Sequence, residues 1–579
     1  MEAQKKYDAE REKRLAFGRD ISQYRVVDGH FASWLGDPWK AETPREPVYR
    51  ETDVLIMGGG YGSQLTAAEL LKYGIQNFLM VDKCGGFGGT WWWNRYPGAQ
   101  CDIESFIYMP LLEETGYVPT EKYAHQPELL EHAERIATHY GLHEKALFQT
   151  EILSIHWEEY KGVWRIITNH NDTIYARFVV LNSGPLHRPK LPGTPGIEKF
   201  KGHAFHSSRF DYEYCGKDLS KLQDKKVAII GTGATAVQII PHVAKNAKEF
   251  FVVQRTPSGV DTRLNCDTTE EWIKENIKPG WQKNRQHNFN KMSLGGATDE
   301  DLVDDNWSRV FLSFTNATKG AKPEDIPREI LRKNFERMQS IRDRVDSTIQ
   351  DPKVAEKLKP WYGWGCKRPT FHDGYLPSFN RPNVHLIDTD GKGIDEFTET
   401  GFKFNGVEYE VDAVIFATGY ELATDWVQRA GMDVYGRSEP ISKKWANGTI
   451  GLHSWGSNGF PNAFWITTAQ GPLAVNALYG IHEQAIHLSY IINETLRRGA
   501  KCVEPSKEAE EAWLKEVLKA GQNRSTFEAT CTPGWMNNEG HVTEKHVRNW
   551  WYGGNGLEYF KMIKDWRDAG KLEGLKVTY

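Results

Sequence analysis

An α/β fold is predicted by three features of this chain. An apolar run, DVLIMGGGYGS (residues 53–63), passes through a glycine turn into QLTAAELLKYG, whose apolar residues recur at helical spacing. Much later, KVAIIGTGATA (226–236) leads into VQIIPHVAKNA in the same order. Each unit is followed by another short apolar strand, FLMVDK in the first case and FFVVQR in the second. Strand, glycine turn, helix and strand, met twice, predict two Rossmann-like dinucleotide-binding domains.

In chain order, residues 1–50 are expected to be an N-terminal extension, because MEAQKKYDAEREKRLAF mixes charges without an apolar core and reads as a solvated helix. The same mixture argues against a secretory or transit signal and favours a cytoplasmic protein. The first nucleotide domain is assigned to 51–195 and the second to 196–260. Residues 261–360 turn charged and aromatic, with helical patterns at EEWIKENI and REILRKNFERMQSIRDRV, so the second domain carries a mainly helical insertion. That domain resumes over 361–400, and the first domain over 401–579. FVVLNSGPL (178–186) and DAVIFATGY (412–420) are buried strands expected to carry the chain between the two domains.

At 579 residues the chain is too long for a single core. A net charge of −5 gives no basic field for nucleic acid, and no apolar run is long enough to span a membrane. Seven cysteines without a CxxC pair suggest free thiols in a reducing compartment. His203 and His206 have no further His or Cys at ligand spacing, so no metal site is expected.

Charge separates the two glycine turns. Asp82 ends the strand after the first, and Arg255 stands at the same separation after the second. A carboxylate there accepts hydrogen bonds from adenosine ribose hydroxyls, whereas an arginine meets a 2′-phosphate. The first site therefore suits FAD or NAD and the second NADPH, with Gly58, Gly60, Gly231 and Gly233 lacking side chains so that helix amides reach a pyrophosphate. Ser63 and Ala236 replace the third glycine, where helix packing alone is at stake.

The stretch GGTWWWNRYPGAQCD (88–102) places three tryptophans after glycines and ends on a lone carboxylate. It resembles the GGTWxWNRYPGxxCD segment of the Baeyer-Villiger monooxygenases. WGCKRPTFHDGY supplies that family's Lys-Arg pair as Lys367 and Arg368, and NWWYGGN its Trp before a GxN turn as Trp550. The family fingerprint FxGxxxHxxxW, followed by Pro or Asp, is matched at Phe200, Gly202, His206 and Asp211 but departs at Phe210, where tryptophan is expected.

The resemblance implies an NADPH-dependent flavoprotein that inserts one oxygen atom of O2 beside a ketone carbonyl, through a C4a-peroxyflavin, to give an ester or lactone. It implies that Arg368 stabilises the anionic oxygen species, that Asp102 orients Arg368, and that Lys367 joins Arg255 and Thr256 on the coenzyme phosphate. Gly89, Thr90 and Trp91 would bind the cofactor, spacing alone leaving open which of Trp91, Trp92 and Trp93 faces the flavin; Trp550 would contact a cofactor, and the fingerprint would act as an interdomain hinge. The alternative is an N- or S-oxidising flavin-containing monooxygenase, which the aromatic at Phe210 also fits. Such enzymes react through a protonated hydroperoxide and need no fixed cation, so Asp102 with Arg368 favours the ketone-oxidising reading.

Overall fold

A computed structural model describes residues 2–422, 424–471 and 474–579. Two separate sheets organise it, a mixed one with antiparallel pairs around Val163–Thr168 and a wholly parallel one. The larger has eight strands, ordered Asp433–Tyr435, Ile152–Glu158, Val163–Thr168, Thr173–Leu181, Tyr49–Met57, Phe78–Val81 and Ala146–Leu147, with Ala463–Trp465 also beside Thr173–Leu181. Its centre is parallel and apolar without alternation, because both faces are covered. Helices Tyr61–Lys72 and Ala477–Arg497 bury Leu65, Leu70, Leu488 and Ile492 on one face, and Trp164, Trp426, Trp445 and Trp465 close the other.

The second sheet has five parallel strands, ordered Val384–Asp388, Glu249–Gln254, Lys226–Ile230, Ala413–Phe416 and His203–His206. Helix Ala234–Asn246 packs Ile239 and Ile240 against it. Each glycine turn joins a parallel strand to a helix, so the α/β class with two dinucleotide-binding folds holds. Between Glu270 and Leu358 the chain forms five helices among the described residues, among them Asn306–Thr318 and Ile326–Thr348.

Three expectations need correction. The chain does not return to the first domain at residue 401, because Ala413–Phe416 pairs with Val227–Ile230 and His203–His206 in the second sheet. A four-residue apolar strand fits either sheet, and only its register reveals which.

The N-terminal helix Glu2–Leu15 is not simply solvated. Tyr7 is buried beside Met338, Ile341 and Tyr362, and its hydroxyl accepts from Arg342 Nη1 at 3.0 Å. Tyr24–Val26 then pairs antiparallel with Lys190–Pro192. The charges that suggested a free helix find partners on other segments, Lys6 on Glu356 and Lys13 on Asp390.

Not every cysteine is free. Cys366 and Cys531 form a disulfide across 165 residues, while Cys84, Cys101, Cys215, Cys266 and Cys502 remain thiols. Spacing alone could not reveal a pair that long-range packing brings together. No described helix is long and apolar enough to cross a membrane.

Candidate active site

An open cavity enclosing about 980 Å³ runs along the first glycine turn, lined by Gly58, Gly60, Asp82, Gly89, Thr90 and Trp91 among others. Helix Tyr61–Lys72 begins at Gly60 without a side-chain cap, so its first amides are free to meet an anion. Backbone meets backbone at this point, because a Cβ on Gly89 (φ +53°) would lie 2.6 Å from Gly60 Cα. A Cβ on Gly58 (φ +102°) would lie 2.6 Å from the Asn182 carbonyl oxygen. The Asp82 carboxylate accepts from the Gly59 N–H at 2.6 Å and the Cys84 N–H at 3.0 Å, which fixes it at the turn. Bare amides, a side-chain-free cradle and a carboxylate beyond it fit the pyrophosphate and ribose of FAD.

Ser63 does more than fill a packing position. Its hydroxyl donates to the Met57 carbonyl at 3.2 Å and accepts from Asn182 Nδ2 at 3.2 Å. The close-packing glycine is Gly62, where a Cβ would strike Asn182 and Ile481.

The tryptophans divide by direction. Trp91 and Trp93 line the cavity, and Trp91 Nε1 donates to the Tyr108 hydroxyl at 3.0 Å. Trp92 faces away, donating to Asp37 Oδ2 at 2.9 Å beneath the Arg95 guanidinium. Lys83 also lines the cavity, and burial pushes its pKa down to about 8. Sequence reasoning missed Lys83, since a lysine after a strand normally reads as solvated.

Asp102 and Arg368 meet although the insertion separates them in the chain. Arg368 donates from Nε at 3.0 Å and from Nη2 at 2.6 Å to the same oxygen, Asp102 Oδ2. The Asp102 carbonyl accepts from Arg263 Nη1 at 2.7 Å and Trp307 Nε1 at 2.9 Å, which anchors this backbone to the insertion. The Arg368 guanidinium lies over the Trp307 ring, 5.3 Å from its centroid. Phe289, Trp307, Phe311, Trp364 and Phe371 form one apolar cluster there, with Tyr108 packed against it. Since Tyr108 also lines the cavity, the Trp91 end of the cavity adjoins the cation.

At the second turn, Gly231 (φ +112°) admits no side chain, for a Cβ would lie 2.5 Å from the Ala417 carbonyl oxygen. At Gly233 the space is open, for a Cβ there meets no protein atom within 4 Å. The opening above Gly233 and the uncapped amides of helix Ala234–Asn246 fit a second dinucleotide. Ala236 is fully buried. Arg255 donates to Gln23 Oε1 and to the Tyr24 hydroxyl, each at 2.7 Å, and Thr256 Oγ1 accepts from Arg14 Nη1 at 2.7 Å. Lys367 donates to the Pro533 carbonyl at 3.2 Å; burial, joined by the Arg14 and Arg255 charges, pushes its pKa down to about 8 despite Glu539. Arg14, Gln23 and Tyr24 were missed, because they belong to the segment expected to be solvated. Trp550 is not brought to the first cavity and packs instead among Trp535, His546 and Trp551, its indole N–H buried without a partner.

The fingerprint residues cluster at the crossing between the sheets. His206 is wholly buried, its Nε2 donating to the Gly419 carbonyl at 3.0 Å and its Nδ1 accepting from the Ser208 N–H at 3.2 Å. Burial next to Arg209 pushes its pKa down to about 3, so the ring is neutral. Asp211 caps helix Tyr212–Cys215 and pairs with His203 at 2.9 Å. A Cβ on Gly202 would lie 2.7 Å from the Asp412 carbonyl oxygen, and Phe200 packs on Phe397. Phe210 is 1% exposed, held between Phe205 and Tyr212.

The family profile for flavin-binding monooxygenase-like proteins matches residues 106–270. The Baeyer-Villiger monooxygenase ATR8 of Stachybotrys chlorohalonatus (strain IBT 40285) is 47% identical over 589 aligned positions, covering 100% of this chain and 94% of the relative. The polycyclic ketone monooxygenase of the thermophilic fungus Thermothelomyces thermophila superposes with a TM-score of 0.92 at 37% identity, covering 100% of this chain and 98% of that one. The structure of OTEMO in complex with FAD and NADP superposes with a TM-score of 0.76 at 27% identity, covering 92% and 100%.

Proposed function

The chain belongs to the Baeyer-Villiger monooxygenases, and from that premise we propose how its residues divide the work and what class of ketone it takes. It is an FAD- and NADPH-dependent enzyme that inserts one oxygen atom of O2 beside a ketone carbonyl, giving an ester or lactone. Bound FAD, reduced by NADPH, supplies the activated oxygen.

The observation that carries the division of roles is the Asp102–Arg368 pair, set against an apolar wall where the first cavity ends. Arg368 would present a positive charge to the oxygen anion that attacks and to the ketone oxygen as the carbonyl carbon becomes tetrahedral and that oxygen gains negative charge. Asp102 holds the guanidinium in one orientation, and its own backbone is held by Arg263 and Trp307. A fixed cation favours a nucleophilic oxygen anion, the species a carbonyl requires. An N- or S-oxidising site gains nothing from such a cation. Trp91 and Trp93 shield the flavin end from water, which limits wasteful release of hydrogen peroxide. Gly58, Gly60, Asp82, Gly89 and Thr90 hold FAD. Gly231, Gly233, Arg255, Thr256 and Lys367 would hold NADPH, the last three recognising its 2′-phosphate. Trp550 would offer its unpartnered indole N–H to a cofactor, and the fingerprint from Phe200 to Asp211 would serve as the hinge through His206 and Gly419.

The substrate class is a bulky, polycyclic ketone. Full-length similarity to a polycyclic ketone monooxygenase supports this, as does the wall of Phe289, Trp307, Phe311 and Trp364 beside Arg368. A panel of polycyclic ketones, small cyclic ketones, amines and sulfides tests it, with NADPH-dependent product identified by mass. Esters or lactones from the polycyclic members at the highest kcat/KM are expected. Preference for a small monocyclic ketone would overturn the substrate class, and oxygenated amines without any ester would overturn the role of Arg368.

A further inference from the structure

Cations from three separate parts of the chain come together beside Thr256, Arg14 donating to its hydroxyl and Lys367 lying close enough to feel both Arg14 and Arg255. Arg14 comes from the end of helix Glu2–Leu15, Arg255 from the end of strand Glu249–Gln254, and Lys367 from the loop after the insertion. The Arg14 side chain is only 9% exposed, yet its best partner is the neutral Thr256 hydroxyl at 2.7 Å, and its Nε is buried with no partner. Glu10, Asp390 and Asp388 are the acidic groups facing it, and none of them makes a close hydrogen bond to its guanidinium. Glu10 stands 3.8 Å from Arg14 Nη2 and already holds Lys13 at 2.8 Å, while Asp390 holds Lys13 at 2.5 Å. Arg14 and Arg255 each lower the tendency of Lys367 to hold its proton, and Arg255 does the same to Arg14 and Arg19. Mutual repulsion of buried cations costs stability unless an anion relieves it.

The fit at Arg14 is built. Gly391 (φ +88°) lies so close to the Arg14 guanidinium that a Cβ would overlap it. The helix is held in place independently, by Tyr7 under Arg342 and by Lys6 on Glu356. Gln23 and Tyr24, from the same segment, receive both terminal nitrogens of Arg255 and so aim it.

We propose that the N-terminal segment completes the 2′-phosphate site of NADPH, with Arg14 as a direct phosphate ligand and Gln23 and Tyr24 as positioning residues for Arg255. This rests on the reading that Arg255 and Lys367 face that phosphate. Coenzyme selectivity then depends on a segment that lies outside both nucleotide domains. A doubly charged phosphate monoester is the one anion in the reaction that needs several cations at once, and Arg14 adds a planar donor fork that Lys367 lacks.

The test uses the full-length holoenzyme and compares Arg14→Ala, Arg14→Lys, Lys13→Ala and Arg255→Ala. Inhibition by 2′,5′-ADP, which carries the phosphate but no nicotinamide, is measured beside KM for NADPH and for NADH. Loss of a charge-assisted hydrogen bond predicts roughly a 10- to 100-fold rise in KM for NADPH and in Ki for 2′,5′-ADP in Arg14→Ala. NADH should be unchanged, Arg14→Lys should recover part of the loss, and Lys13→Ala should behave like the parent. If Arg255→Ala loses NADPH selectivity but Arg14→Ala keeps it, the inference is overturned and the underlying reading stands. Where neither variant changes selectivity, both fall. Equal losses for NADPH and NADH in Arg14→Ala would mean the arginine only anchors the helix, which also overturns the inference.

Discussion

With Lys367 facing the 2′-phosphate as proposed, the use of NADPH, and not of NADH, should be sensitive to pH. The Lys367 ammonium is buried next to Arg14 and Arg255, with Glu539 the acidic group facing it, and burial followed by the two arginines brings its pKa down to about 8. Below that value the lysine is charged and available to the 2′-phosphate. Binding the dianion favours the charged form, so affinity is fully present below about pH 8 and falls as pH rises above it. The coenzyme phosphate, whose second pKa is near 6, stays a dianion throughout this window. Each pH unit beyond the pKa costs up to about tenfold, until the worth of one charge-assisted hydrogen bond, roughly 10- to 100-fold, is spent. The assay is KM for NADPH from pH 6.5 to 9.5 (roughly the window around the shifted pKa), with NADH as the control for every other titrating group. KM for NADPH should rise about fivefold between pH 8 and 9 while NADH stays flat, and Lys367→Gln should begin high and remain flat. Parallel rises for both coenzymes, or an unchanged slope in Lys367→Gln, would refute the reasoning.

Three further outcomes follow from the geometry. Asp102→Ala should leave Arg368 charged but unaimed, lowering ester formation roughly 10- to 100-fold while NADPH oxidation continues; since the pair is about one-third exposed, thermal stability should change little. Phe210→Trp should lower stability by about 1–3 kcal/mol, read as a drop of several degrees in Tm, because Phe205 and Tyr212 leave the larger ring no space; products should remain esters. Gly89→Ala puts a Cβ 2.6 Å from Gly60 Cα at a positive φ, so the purified protein should lose its yellow colour, measured as visible absorbance per chain.

Much of this site can be read from local sequence. Glycine turns, the exchange of Asp82 for Arg255 and the segment ending in Asp102 are short-range patterns with direct physical meaning, and the sheets place them as the patterns imply. What sequence does not carry is the partner of a distant surface. Arg14 sits in a charged stretch that reads as solvated, Gln23 and Tyr24 follow it, and their contacts appear only once the segment is packed beside Thr256 and Arg255. The strand Ala413–Phe416 bears no mark of which sheet it joins, and Cys366 bears no mark of Cys531. The direction of each tryptophan in Trp91–Trp93 depends on a single Asp37 contact and a short helix.

The most direct measurement is the yield of ester per NADPH consumed by the Arg368→Ala holoenzyme with a polycyclic ketone, with FAD content matched to the parent. A positioned charge is worth about 10²–10³ in rate, whereas on the proposed roles hydride transfer from NADPH to the flavin should proceed without Arg368. The account predicts NADPH oxidation within a few-fold of the parent, hydrogen peroxide as the main product, and ester formation lowered by about that factor. Ester formed at the parent yield would contradict it, and so would loss of NADPH oxidation and ester formation in equal measure.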